Sequence, residues 1–246
     1  MRGNDVKRSR LGRWAPWVLL LGLGFQDAAL AAAGEVTAAR GRVTVATPAG
    51  EIKALERGSA VNEGDVVNTG PGSFAKMKFS DGSAFYLRPS TRFQVESYQD
   101  TGGEKEDERG VFGLLKGGFR FVSGLIGQRN REAVKLRTPV ATIGIRGSDG
   151  SFRLCSSGDC FDIPLDEIPD DGLYMKTNDG EFLIEREVDG RFTVTPVPAG
   201  KTAYVSPGAD EPEVGDEGSP VIENDDFPDP EDPDDDPEPL GCGPGA

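Results

Sequence analysis

The sequence predicts an all-β protein, a compact sandwich or solenoid-like stack of short strands and hairpins, followed by a disordered acidic C-terminal tail. Three observations carry this. Between Val36 and Val205, short apolar runs are cut by turn residues every 8 to 12 positions, the spacing of an all-β domain. No helical periodicity persists beyond two turns. Asp-Gly pairs at positions 81, 149, 179 and 189 supply the positive-φ residues that tight turns require.

The first 33 residues read as an export signal. Arg2, Lys7, Arg8, Arg10 and Arg13 precede an apolar stretch from Ala15 to Phe25, and a small-residue run from Ala28 to Ala33 follows. That is the basic, apolar and small-residue order of a secretory signal peptide. The apolar stretch contains Pro16, Gly22 and Gly24 and falls well short of the roughly 20 residues an anchor helix needs. Cleavage after Ala31 or Ala33 is expected, giving a periplasmic protein without a membrane span; secretion or surface association is the other fate open to it. No cysteine sits just past the apolar stretch, so no lipid anchor is expected.

Beyond the signal, residues 34–152 read as one β-domain. Its clearest hairpin runs from Ala75 to Leu87, and a two-residue turn at Asp81-Gly82 would set Phe79 against Ala84 and Met77 against Tyr86. Gly64-Asp65, Gly70-Pro71-Gly72 and Arg88-Pro89-Ser90 mark other reversals. The polar segment from Gln99 to Gly110 is expected as an exposed loop. Gly117-Gly118, inside the apolar run Val111 to Val122, suggests a turn or a close backbone approach. Residues 153–208 are read as additional hairpins packed on the same domain, two of them bracketing Phe182 to Val188.

Charge is distributed unevenly. Of the formal −15, residues 209–246 contribute all 15 units, with 15 acidic and no basic residues, while the body is near neutral. This stretch also holds eight prolines and too little apolar surface to offset its ordering entropy. Cys155 and Cys160, in C-S-S-G-D-C, form a candidate disulfide in an oxidising compartment. Cys242 is left over, either as an unpaired thiol or for intermolecular pairing.

The stretch from Gly34 to Phe152 resembles the FecR domain family. The matching phrases are G-R-V-T-V from Gly41, R-G-S-A-V-N-E-G-D-V-V-N-T-G from Arg57, S-F-A-K-M-K-F-S-D-G-S-A-F-Y-L-R-P-S-T from Ser73 and K-L-R-T-P-V-A-T-I-G-I-R-G-S from Lys135. The family-motif residues are Gly64, Asp65, Thr69, Asp81, Gly82, Thr138, Pro139, Ile143, Gly144, Arg146 and Gly147, read as structural. Pro139 is expected at a strand start or edge. Ser148 stands where the family usually has Thr. The resemblance implies a periplasmic FecR-like protein, free-standing and without the cytoplasmic sigma-regulating domain of signalling members.

Chemistry is constrained by the absence of histidine, which removes Ser-His-Asp, Cys-His and His-metal arrangements together. The acidic pairs Asp166-Glu167 and Asp170-Asp171 read as a solvated loop. No catalytic residue, cofactor or specific metal site is expected, only weak cation association by the tail. Nine basic residues between Arg109 and Arg153 face two acidic ones; Arg120, Arg129, Arg131, Lys135 and Arg137 form a candidate basic surface that could receive the acidic tail. Nucleic acid is not expected as a partner. The function this supports is a periplasmic, protein-binding or regulatory module without catalytic activity, its partner a periplasmic or envelope protein. A structural role in cell-envelope assembly is the alternative.

Overall fold

Runs of β-branched and aromatic residues between glycine turns favour short extended segments, and strands account for nearly all of the regular structure. A computed structural model describes residues 32–103, 106–160 and 169–216. The expectations resting on residues 1–31, on Asp166-Glu167, on Cys242 and on residues 217–246 lie outside the described residues. Strand makes up 56% of the described residues and helix 3%, so the all-β class holds.

In chain order the elements begin with β1 (Gly34–Arg40), β2 (Val43–Ala46), β3 (Ile52–Ala54), β4 (Ala60–Val61), β5 (Val66–Thr69) and β6 (Phe74–Phe79). They continue with β7 (Ala84–Leu87), β8 (Arg92–Gln99), β9 (Arg109–Val122), the short helix α1 (Leu125–Arg129) and β10 (Val134–Arg137). Then come β11 (Thr142–Ile145), β12 (Asp149–Cys155), β13 (Gly172–Asp179), β14 (Glu181–Val188), β15 (Arg191–Pro198), β16 (Thr202–Val205) and β17 (Glu213–Gly215).

Backbone pairing sorts the strands into two ladders that share β9. The first runs β4-β1-β6-β7-β9-β12-β13-β16-β17. The second runs β3-β2-β5-β8-β9-β10-β11-β14-β15. Every one of these pairings is antiparallel except β9 with β10, and neither ladder closes into a barrel.

Strand β9 passes from one ladder to the other at its glycines. Arg109 to Lys116 pair with β8, whereas Gly117 to Val122 pair with β12. Gly117 has φ 77°, and a Cβ there would sit 2.7 Å from Thr91 Cα. At Gly118 a Cβ would lie 2.5 Å from the Phe152 carbonyl oxygen. The Gly-Gly pair is thus a corner made by close backbone approach.

Alternation places one face of most strands between the ladders. Ala75, Met77 and Phe79 on β6, and Phe93 and Val95 on β8, are buried. Rings then touch in succession: Phe79 with Phe85 at 5.2 Å, Phe85 with Phe112 at 4.5 Å, Phe119 with Phe152 at 5.3 Å and Phe152 with Phe182 at 5.0 Å. Such pairs add about 0.5–1.5 kcal/mol each beyond the area they bury.

Four local expectations are corrected. The β6–β7 hairpin pairs Met77 with Phe85 and Lys76 with Tyr86, one residue out of the expected register, because Phe79 N–H bonds the Ser83 carbonyl across a three-residue loop. Only Gly82 takes positive φ there (86°), and the Lys76 ammonium lies 5.1 Å from the Tyr86 ring centroid. Of the two hairpins expected around Phe182 to Val188, only the second forms, closed by Asp189 (φ 50°) and Gly190 (φ 73°). At Asp179-Gly180 the chain instead passes between ladders, since β13 pairs with β12 and β16 while β14 pairs with β11 and β15. Pro139 sits in the turn between β10 and β11 rather than at a strand start. Finally, residues 209–216, expected within the disordered tail, include β17, whose backbone pairs Ala203 with Val214; backbone bonding to β16 holds this piece where side-chain burial does not.

Candidate interaction surface

The residues of the family phrases are spread along the ladders as strand-to-strand ties. Asp65, buried, accepts the Asn62 N–H (2.8 Å) on its carboxylate, while its carbonyl accepts the Val95 N–H (3.0 Å). Gly64 makes the turn before it, with φ 85°, and its N–H bonds the Val95 carbonyl at 2.7 Å. Thr69 Oγ1 donates to the Arg88 carbonyl (2.5 Å) and accepts from Thr91 N–H (2.9 Å). Thr91 Oγ1 in turn bonds both the N–H and the carbonyl of Gly118 (3.0 and 2.9 Å), fixing the β9 corner.

Asp81 joins three elements. Its Oδ1 accepts from the Ser83 N–H (3.0 Å), the Ser83 hydroxyl (2.7 Å) and the Tyr98 hydroxyl (3.2 Å). Its carbonyl accepts the Leu125 N–H at 2.9 Å, so the β6–β7 turn, β8 and the start of α1 are tied to one buried residue. Burial, with the Asp81 and Asp100 carboxylates nearby, pushes the Tyr98 phenol above its ordinary range against the opposing Ser80 hydrogen bond. The neutral phenol is therefore the form that the fold holds.

The third phrase behaves alike. Thr138 Oγ1 donates to the Ala141 carbonyl (2.8 Å) and accepts its N–H (3.0 Å), closing the turn around Pro139. Ile143 is fully buried. Gly144 leaves room for the carboxylate of Glu185, 3.1 Å from where a Cβ would stand, which pairs with Lys135 at 2.9 Å. Arg146 faces Glu181 at 3.5 Å, Gly147 takes φ 71°, and Ser148 Oγ donates to the Glu181 carbonyl at 2.6 Å.

The basic residues are individually matched rather than pooled. Arg120 bonds both oxygens of Asp149 (3.0 and 2.7 Å), Arg129 reaches Asp100 (3.0 Å) and Glu108 (3.2 Å), and Arg137 reaches Glu96 (2.7 Å). With Lys135 on Glu185, only Arg131 of the five stands exposed with no ion pair among the described residues. Such partly exposed pairs are worth about 0–1 kcal/mol each, but they cancel the local excess of positive charge.

Cys155 and Cys160 are joined, with Cα atoms 5.5 Å apart, and both are buried. Beside them the Tyr174 and Tyr204 rings lie 4.6 Å apart, their hydroxyls donating to the Asp170 and Asp171 carbonyls. The side chains of Asp170 and Asp171 point to solvent. Among the described residues, no group of three or more His, Cys, Asp or Glu side chains is placed to hold a metal ion, and no helix is long and apolar enough to cross a membrane.

The surface that sequence reasoning missed lies where the second ladder ends. At the other end the outermost strands are short, β3 with three residues and β4 with two, a common way of blunting an edge. Strand β15, by contrast, is eight residues long and, among the described residues, pairs only with β14. Phe192 is 65% and Val194 47% exposed on it. The signal that could have marked it is the alternation of Pro196 and Pro198, since proline within a strand belongs at an edge.

Comparison with known proteins places a named domain in this body. The family model described as FecR protein matches residues 65–163, from the buried Asp65 to just beyond the disulfide. No curated protein matches the chain. Two crystal structures of a protein from Parabacteroides distasonis ATCC 8503, assigned as an anti-sigma factor, are similar at 11% and 12% identity with TM-scores of 0.46 and 0.44. In each case the similarity covers 61% of this chain and 58% of that one.

Proposed function

We propose that this chain, which carries a FecR domain, is an exported protein-binding module of the bacterial periplasm with a regulatory rather than a catalytic role. One observation carries the reading: the family-phrase residues tie strand to strand, while the ladder they build leaves a long apolar edge at β15. Groups engaged in holding backbone are not free to act on a substrate, and an unpaired edge is a surface for another chain. The absence of histidine supports the non-catalytic part. The organisation that goes with it is an export segment over residues 1–33, a FecR-like β-domain over 34–152 with additional hairpins over 153–208, and the acidic residues 209–246 as a C-terminal accessory.

Export has a specific expected product. The Ser80 N–H bonds the Ala33 carbonyl at 3.1 Å, and Ala33 is buried. Cleavage after Ala31 keeps that bond, whereas cleavage after Ala33 removes it. Mass spectrometry of the chain recovered from the periplasmic fraction is expected to give Ala32 as the N-terminus. A chain that keeps Met1 and stays in the cytoplasm contradicts the compartment. Affinity capture from the same fraction is expected to yield one envelope protein in a fixed ratio to the chain. Purified chain that turns over a substrate, and loses that turnover when one carboxylate is neutralised, contradicts the non-catalytic role.

A further inference from the structure

We infer that the free edge of β15 is the docking site, and that its occupant is an extended segment of a partner protein in which apolar and basic residues alternate. This rests on the protein-binding reading above and specifies where and by what chemistry it operates.

The direction of the free backbone groups follows from the turn. A two-residue hairpin loop at Asp189-Gly190 makes its flanking pair, Val188 and Arg191, a hydrogen-bonded one. Alternation then makes Phe192 with Glu187 and Val194 with Glu185 non-bonded pairs. The N–H and carbonyl groups of Phe192 and Val194 therefore point away from β14. Pro196 and Pro198 share that phase, which is why β15 tolerates two prolines: the donors they lack would have pointed outward. Among the described residues, no other element accepts a backbone hydrogen bond from Phe192 or Val194. Outward donors thus remain at two positions, and proline has removed them from the next two.

Side chains on the two faces of this edge differ, and the difference sets the occupant. Phe192 and Val194 project from the outer face, so alternate residues of an added strand meet apolar surface there. On the inner face, Arg191 and Thr193 border a cleft of about 550 Å³, lined also by Val188, Asp189, Asp210 and Glu211. Arg186, paired with Thr193 across the strands, donates to the carbonyls of Ser206 and Ala209 and so holds the segment bearing Asp210 and Glu211 over the cleft. Thr193 Oγ1 is shielded from water without a hydrogen-bond partner, a polar atom left unsatisfied in the chain alone. Three carboxylates line the cleft with the Arg191 guanidinium, and the Arg186 guanidinium is engaged by the backbone at its border, so the balance is negative and favours a cation entering. An added strand would present its other residues there, and Lys or Arg fits them.

The test uses the purified full chain and a fluorescein-labelled peptide, Lys-Val-Lys-Val-Lys-Val-Lys, followed by anisotropy. Saturable binding is expected, with the Glu-Val counterpart not binding. Val194→Pro removes an outward donor in the phase that Pro196 and Pro198 already occupy, so β14 pairing survives; it is expected to weaken binding about tenfold or more. Phe192→Asp changes a side chain that is mostly in water, so the fold is not at risk, and a comparable loss is expected. Asp210→Asn with Glu211→Gln is expected to weaken binding several-fold and to flatten its salt dependence. Equal binding by Val194→Pro, or no binding of the Lys-Val peptide, overturns the inference. So does a chain that dimerises through β15 in the absence of peptide, which would make a second copy the occupant. An envelope protein captured equally by the parent chain and Val194→Pro sinks the edge and leaves the protein-binding reading standing, whereas no captured protein sinks that reading itself.

Discussion

Replacing Asp81 with alanine is expected to destabilise the chain by about 3–5 kcal/mol, read as a lower denaturant midpoint at unchanged slope. The residue is buried, and the substitution leaves the Ser83 N–H, the Ser83 hydroxyl and the Tyr98 hydroxyl without their shared acceptor. Each such loss costs about 1–3 kcal/mol when water cannot reach the group. The consequence extends past the turn, because α1 begins against Asp81 and Gly124 packs on it so tightly that a Cβ there would lie 2.4 Å from Asp81 Oδ2. Asp81→Asn keeps the size and an acceptor oxygen and is expected to cost about half as much. If Asp81→Ala unfolds at the same midpoint as the parent, the D-G-S phrase is not the tie described here.

Phe85→Ala is expected to cost about 3–5 kcal/mol by a different route, the loss of buried apolar contact plus the cavity left behind. Its ring touches Phe79, Phe93, Phe112, Phe119 and Phe121 at 4.5–5.5 Å, so it lies between the two ladders where strands β6 to β9 meet. Many neighbours are fixed by separate strands and relax little, which puts the cost toward the upper end of the range. Equilibrium unfolding in urea, followed by far-UV circular dichroism, checks it; a change under 1 kcal/mol would mean that the rings do not form a single packed core. The two predictions separate polar tie from apolar packing, since Asp81→Ala leaves no cavity among the rings and Phe85→Ala leaves no orphaned donor.

How much of this could be read beforehand depended on how local the determining interaction was. The Asp189-Gly190 turn follows from its two residues, because both take the positive φ that a tight hairpin needs. At Asp81-Gly82 the same dipeptide gives a different loop: the Asp81 carboxylate reaches forward to the Ser83 N–H, and only Gly82 has positive φ. At Asp179-Gly180 the turn is real, with Gly180 at φ 73°, but which ladder receives each flanking strand depends on partners far along the chain. The basic segment illustrates the same limit. Lys135 is matched by Glu185, 50 residues away, and Arg137 by Glu96, 41 residues away. A window of sequence counts the cations and cannot see the carboxylates that the ladders bring to them.

The edge at β15 was legible in part. Phe192, Val194, Pro196 and Pro198 fall in one phase of the strand, and the two prolines alone argue for an outer position. What the sequence lacked was the inner face, since Asp210 and Glu211 arrive there through the chain that follows β16, in a stretch whose acidic composition reads as tail. The family phrases were legible as scaffold, and their geometry is that of strand ties, but the phrases cover the middle of the ladder. The end of the ladder lies beyond the residue range that the FecR model matches, so whatever is particular to this chain is expected there.

Amide hydrogen exchange on the full chain, read residue by residue by NMR, tests the open edge most directly. The account predicts alternation along β15: the Thr193 and Thr195 amides protected by β14, the Phe192 and Val194 amides exchanging at rates near those of free backbone. Protection of all four to the same degree would contradict it, because the edge would then already be occupied and could not be where a partner adds its strand.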